Sequence, residues 1–169
     1  MFSNEDSKIT LYYEPVIYDE DRRNINGIEL YRNNNISLGR DTDDERKGRY
    51  YVPDYIIKYE KDVKIQYLIC DAKFSRKTKV QHQIIPDLAY KYLTSISPLS
   101  ENANVLGLYI FYGLNENNSN IESFYNRKMK DGKTIFPMIE MIPLSEGVLY
   151  SDQTKNALEM LRSLIKYNR

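Results

Sequence analysis

The chain has no tryptophan, one cysteine, one histidine and seven glycines in 169 residues. No apolar run approaches the ~20 residues a membrane-spanning helix requires. A lone cysteine, Cys70, excludes an internal disulfide, and within an apolar run it reads as a small buried hydrophobe. The first residues, MFSNEDSKIT, are polar and acidic where a signal peptide would be basic and then apolar. An intracellular, cytoplasmic protein is the expectation. Neither sign of charge prevails: 24 Lys and Arg offset 24 Asp and Glu. Net charge therefore argues neither for nor against a polyanionic partner, and only the distribution of charge can decide. There is no internal repeat.

What is present describes an ordinary globular domain, with 41% hydrophobic and 28% charged residues. The length suits one domain with a substantial core rather than two. We expect a single domain over 1–169, with a β-rich lead-in (1–48), a central core (49–112) and a C-terminal strand and helix (113–169). Sixteen tyrosines stand out. Those in the first half fall mostly in strand-like runs, where aromatic rings suit a pleated, half-buried surface, although some could stack on bases.

Residues 9–18 read as a strand with Pro15 at an edge or bulge, and 28–38 as an extended pair broken at Asn33-Asn34-Asn35, with Ile28–Arg32 alternatively a short helix. A polar turn over 19–27 separates them. The charge-dense run 40–48 reads as an exposed loop; its acids lack the glycine and terminal glutamate of a calcium loop. Two central strands follow, Tyr50–Tyr59 and Lys64–Phe74, joined by a short charged turn and hence antiparallel. The second is apolar on both faces, as a strand covered on both sides would be.

The spacing of Ile84, Leu88, Tyr92 and Ile96 predicts a helix between Val80 and Ile96, with Pro86 either ending a first turn or opening the main helix. Val105–Tyr112 predicts a buried central strand. Residues 115–120 form a polar loop, Ile121–Lys133 fits no single pattern, and Thr134–Leu144 reads as a strand whose two prolines favour an edge. A last helix starts at Ser151 or Asp152, either of which can cap it. The order predicts an α/β domain with a mixed sheet.

The chemistry concentrates at the end of the second central strand. Side chains alternate along a strand, so Asp71 and Lys73 share a face and Ala72 points away. Asp54, near the start of the neighbouring strand, can bring a second carboxylate. Adjacent carboxylates repel unless a cation lies between them, and Mg²⁺ favours such oxygen donors. A lysine beside them can stabilise charge on a phosphate or help position the attacking water. The bland alternative is an exposed ion pair, because Asp-x-Lys recurs by chance.

Pro53-Asp54, sixteen intervening residues, and then Asp71-Ala72-Lys73 resemble the signature of the PD-(D/E)XK nuclease superfamily, whose fold is restriction-endonuclease-like. The resemblance spans Tyr50 to Tyr112, and the text from Gln81-His82-Gln83 to Pro86-Asp87-Leu88-Ala89-Tyr90-Lys91-Tyr92 is similar to nuclease domains of McrC-like bacterial defence proteins. It implies a mixed sheet flanked by helices and a metal-dependent DNA endonuclease acting in restriction or phage defence. Asp54 and Asp71 would ligate Mg²⁺ or Mn²⁺, completed by the Ala72 carbonyl, and Lys73 would act on the water or the scissile phosphate. A polar residue from the following helix would join them: Gln81, Gln83 or Lys91, with Gln83 favoured.

The family's leading helix, which carries another metal-binding glutamate, has no counterpart before Leu11. Glu14 is the metal ligand we assign in its place, with Glu29 the alternative, unless the chain is a fragment whose upstream part supplies that helix. Arg76, Lys77 and Lys79 form the expected contact with the DNA backbone, while His82 is at most a phosphate contact. A homodimer, an upstream domain or a defence complex is the expected partner besides DNA. The competing readings are an inactive domain of the same fold that binds nucleic acid or protein, and an unrelated α/β interaction module.

Overall fold

The alternating apolar run of the two central strands builds the middle of the sheet. In a computed structural model, which describes residues 2–4, 7–18, 27–33, 50–113, 122–132 and 134–144, these strands are β6 (Tyr55–Lys61) and β7 (Lys64–Lys73), paired antiparallel around a tight turn at Asp62. Asp62 takes a positive φ of 52°, a conformation that Asp tolerates better than most residues. The extended hairpin thus begins at Tyr55. The pair β5 (Tyr50–Tyr51) belongs to a separate two-stranded ladder with β3 (Ile17–Tyr18).

The first strand-like run is likewise divided. β2 (Ser7–Tyr13) lies along β6, the chain bends at Glu14 with φ 44°, and β3 leaves the main sheet. β1 (Phe2–Asn4) pairs with β2, and β4 (Leu30–Arg32) is extended rather than helical, pairing with β8 (Ile96–Pro98).

The chain leaves β7 into one helical segment, 77–94, which we call α1. It alternates α turns (Lys77–Lys79, Ile85–Leu88) with wider π turns (Val80–Ile84, Ala89–Thr94). Pro86 neither starts nor stops it. Proline cannot donate the usual i→i−4 bond, and a wide turn immediately before it accommodates the missing donor and the ring. Val80, Ile85, Leu88 and Tyr92 face the sheet and are buried.

This crossover lets β9 (Ala103–Tyr112) run parallel to β7, and β11 (Thr134–Pro143) runs parallel to β9. β10 (Glu122–Lys128) closes the far side antiparallel to β11, from within the stretch that fitted no pattern. The seven-stranded mixed sheet therefore has the order β1-β2-β6-β7-β9-β11-β10. The edge expected for β11 is corrected, since β11 is interior. Its register with β10 shifts between Ile139 and Ile135, so Pro137 falls in the irregular stretch, and Pro143 is the last residue of the strand. Neither is then asked for a regular ladder bond.

Both sheet faces are packed. Tyr67, Ile69, Leu108 and Ile110 meet α1, and Leu68, Cys70, Tyr109, Met138 and Ile142 are buried on the other face. Burial, helped by the Asp71 charge, pushes the Cys70 thiol up to about 12, which keeps it a protonated core residue. Among the described residues no helix is long and apolar enough to cross a membrane. The expected loops at 19–26, 40–48 and 115–120 and the helix from Ser151 lie outside the described residues, as does most of the Asn33–Asn35 turn.

Candidate active site

The register of the sheet places the acids. Tyr55 pairs with Cys70 across β6 and β7, so Asp54 and Asp71 stand opposite each other on adjoining strands. Tyr13 pairs with Tyr55 across β2 and β6, which sets Glu14 beside Asp54, and the Glu14 amide donates to the Asp54 carbonyl at 2.8 Å. Asp54 and Asp71 belong to the sheet face that carries Ile56, Tyr67 and Ile69 toward α1.

Asp71 is 2% exposed, so the reading of an exposed Asp71–Lys73 pair is corrected. Its Oδ1 is ion-paired with the Lys73 ammonium, which is itself partly exposed. The Tyr92 hydroxyl lies 3.1 Å from Asp71 Oδ2 and 3.2 Å from the Val52 carbonyl oxygen, both acceptors. It also accepts from Lys91 Nζ at 3.2 Å. Asp54 Oδ2 accepts from the Ala72 amide at 2.6 Å, which ties the first carboxylate to the backbone next to the second. Burial, then the charge and hydrogen bond of Asp71 and the charge of Asp54, raise the Tyr92 pKa, so Tyr92 remains a donor.

Lys91 rests over the Tyr92 ring at 4.8 Å and the Tyr51 ring at 5.3 Å. Burial holds its pKa below the ordinary 10.5, opposed by Asp71 and Asp54 and reinforced by the like charge of Lys73. The fold thus brings Lys91 to the carboxylates, whereas Gln83 is exposed on α1. Gln81 is half-buried and His82 exposed.

The depressed pKa has a consequence for stability. Between the lowered folded value and 10.5 the unfolded chain binds more protons than the folded one, so the contribution of Lys91 to stability rises with pH through that window. At pH 7 the buried charge carries its full cost, and above the window the cost is gone. Lys91→Met is therefore expected to melt at a higher temperature than wild type at pH 7, with the difference shrinking toward pH 10.5. Melting curves at pH 7, 9 and 10.5 check this, and a constant difference would count against it.

Of the two candidates for a further acid, Glu29 is engaged elsewhere. Its carboxylate lies 2.7 Å from the buried Lys58 ammonium, which also pairs with Glu60 at 3.0 Å. Burial opposes the charge on Lys58, but Glu29 and Glu60 raise its pKa overall. The side chain of Glu14 is hydrogen-bonded to the Tyr13 hydroxyl, whose pKa it raises. Among the described residues no three His, Cys, Asp or Glu side chains gather into a metal-holding group. Arg76 and Lys79 are exposed and Lys77 half-buried at the start of α1, directly after the site.

Tyr92 is the residue the sequence reading placed only in the core. It does pack there, at 1% exposure. The available signal was chemical: a tyrosine in an otherwise aliphatic stripe buries a hydroxyl that needs a partner. No protein-family model matches this chain, and no curated protein does either.

Proposed function

We propose that this chain is a metal-dependent nuclease of restriction-endonuclease-like fold, which hydrolyses phosphodiester bonds in DNA in a bacterial restriction or defence setting. The observation that carries the reading is the meeting of Asp54, Asp71 and Lys73 at one end of adjoining strands. The strand order supports the fold assignment, with an antiparallel β2-β6-β7 meander, a helical crossover and a parallel β9.

The donor set fits Mg²⁺ or Mn²⁺. Two carboxylates supply hard oxygen ligands, and these ions keep waters and share substrate phosphate oxygens rather than needing a full protein cage. Asp54 and Asp71 would hold the ion, and the Ala72 carbonyl would complete the set as the resemblance implies. Bound there, such an ion would lower the pKa of a coordinated water and offset phosphate charge. The rest falls to the chain itself. The Ala72 amide fixes Asp54, and Tyr92 fixes the second oxygen of Asp71. Lys73 places positive charge where negative charge grows on the phosphate and on the leaving oxygen. Lys91 adds a second cation behind Tyr92. Arg76, Lys77 and Lys79 would hold the DNA backbone on the approach to the site.

Supercoiled plasmid incubated with the protein and Mg²⁺ or Mn²⁺ tests the reading. Nicked or linear product is expected, abolished by a chelator and by Lys73→Ala. Direct conversion to linear product would indicate paired active sites, and thus a homodimer. Binding without cleavage under every metal condition would instead favour an inactive nucleic-acid-binding domain. Tyr92→Phe removes the donor to Asp71, and groups that orient metal ligands are typically worth 10- to 100-fold. We expect Mn²⁺ to bind it about tenfold more weakly, measured by calorimetry, with an unchanged circular dichroism spectrum.

A further inference from the structure

Phe74, the residue after Lys73, is 84% exposed, the highest value among the large apolar side chains of the described residues. Its position is built rather than frayed. The Ser75 amide donates back to the Lys73 carbonyl at 2.8 Å, closing a three-residue turn with Phe74 at its apex. The Gly113 amide, at the end of β9, donates to the same carbonyl at 3.4 Å, so the turn is fastened to the sheet.

Along the chain Lys73, ion-paired with Asp71, precedes this apex, and the exposed Arg76 and Lys79 follow it. Single exposed apolar residues are common and need no explanation. Val63, 74% exposed on the turn between β6 and β7, is one, at the opposite end of β7 from Lys73. Phe74 differs in its place in the chain, directly after a candidate catalytic lysine and two residues before Arg76. An aromatic face among cations is the arrangement that binds a single nucleic-acid strand, the cations on phosphate and the ring on a base.

We infer that Phe74 is a stacking platform for an unpaired nucleobase next to the scissile phosphate, directing the site to single-stranded or frayed DNA. This rests on the nuclease reading for the location of the scissile phosphate. A base inside a duplex has both faces covered by its neighbours, so the ring can stack only on one that has left the helix or lies at an end. Sequence preference is not expected, because every base offers a face.

Binding in metal-free buffer decides the inference separately from cleavage. The probes are a single-stranded oligonucleotide carrying 2-aminopurine, a fluorescent base, and the same sequence in a blunt duplex. Wild type is expected to prefer the single strand and to quench its fluorescence. Phe74→Ala is expected to lose roughly tenfold in single-strand affinity, the low-to-middle range for one base stack. Its preference over duplex should fall toward one, Phe74→Trp should restore the quenching, and Val63→Ala should match wild type. If Phe74→Ala keeps the wild-type preference and quenching, or wild type shows no preference, the inference is overturned. If the preference depends on Phe74 but no metal supports cleavage, the nuclease reading fails and the platform stands.

Discussion

Asp71→Asn is expected to slow metal-dependent cleavage by about 10³-fold or more, with the fold retained. Catalytic metals supply several kcal/mol of transition-state stabilisation, and each 1.36 kcal/mol is about tenfold in rate. The asparagine amide matches the shape of the carboxylate and can still accept from Tyr92. It cannot neutralise Lys73 or offer the charge that a divalent ion requires. Because Asp71 is almost wholly buried, water cannot take over either role. Single-turnover cleavage of a labelled duplex with a frayed end, alongside circular dichroism and melting curves, separates lost chemistry from lost structure. Lys73→Gln should leave metal binding in place while slowing cleavage by about 10²-fold, the range for one positioned charge-stabilising group.

The largest effect on stability is expected at Gly107. It lies in β9 between β7 and β11, where the β7 register passes from Val105 to Gly107 and leaves Leu106 as an extra, bulged residue. A methyl group added there would collide with the Met138 backbone carbonyl and come within 2.9 Å of the Met138 Cγ. A side chain could swing away, but a carbonyl in a parallel ladder cannot. Gly107→Ala should cost about 3 kcal/mol, the upper part of the overpacking range, and lower Tm by roughly 6–12 °C at ~2–4 °C per kcal/mol. Gly132→Ala is the comparison. That glycine has φ 86° on an open turn with nothing within 4 Å, so its alanine is strained but unobstructed and should cost less. Equal melting temperatures for Gly107→Ala and wild type would mean that β9 and β11 are less closely paired than described.

Much of this architecture was legible because strand periodicity is a local signal. The alternation along Lys64–Lys73 placed Asp71 and Lys73 on one face, and the two-sided apolar character of β7 marked it as interior. The apolar run at 105–112 became a buried strand, as its length and bounds implied. What the sequence concealed was set by tertiary context. The helix runs through Pro86 because wide turns accommodate it, and no propensity rule foresees that. The prolines of β11 suggested an edge, yet its pairing is regular only where they are absent or terminal. The bend at Glu14 divides one extended run between two sheets.

The site follows the same division. Asp54, Asp71 and Lys73 could be named because their separation in sequence fits a hairpin and its strand ends. Lys91 was one of three helix candidates, and Gln83 was favoured over it although Pro86 left the helix phase unfixed. Tyr92 was hidden by its own periodicity, which is equally that of a core residue. Glu29 could not be separated from Glu14 as the further acid, since nothing local signals that the buried Lys58 of β6 takes it up.

The most direct test of the proposed metal centre is diffraction from crystals soaked in Mn²⁺, recorded at a wavelength where manganese scatters anomalously. A peak between the carboxylates of Asp54 and Asp71, lost in Asp71→Asn, is the expected result. Anomalous density confined to other acids, such as Glu29 and Glu60 around Lys58, or none at saturating Mn²⁺, would contradict it.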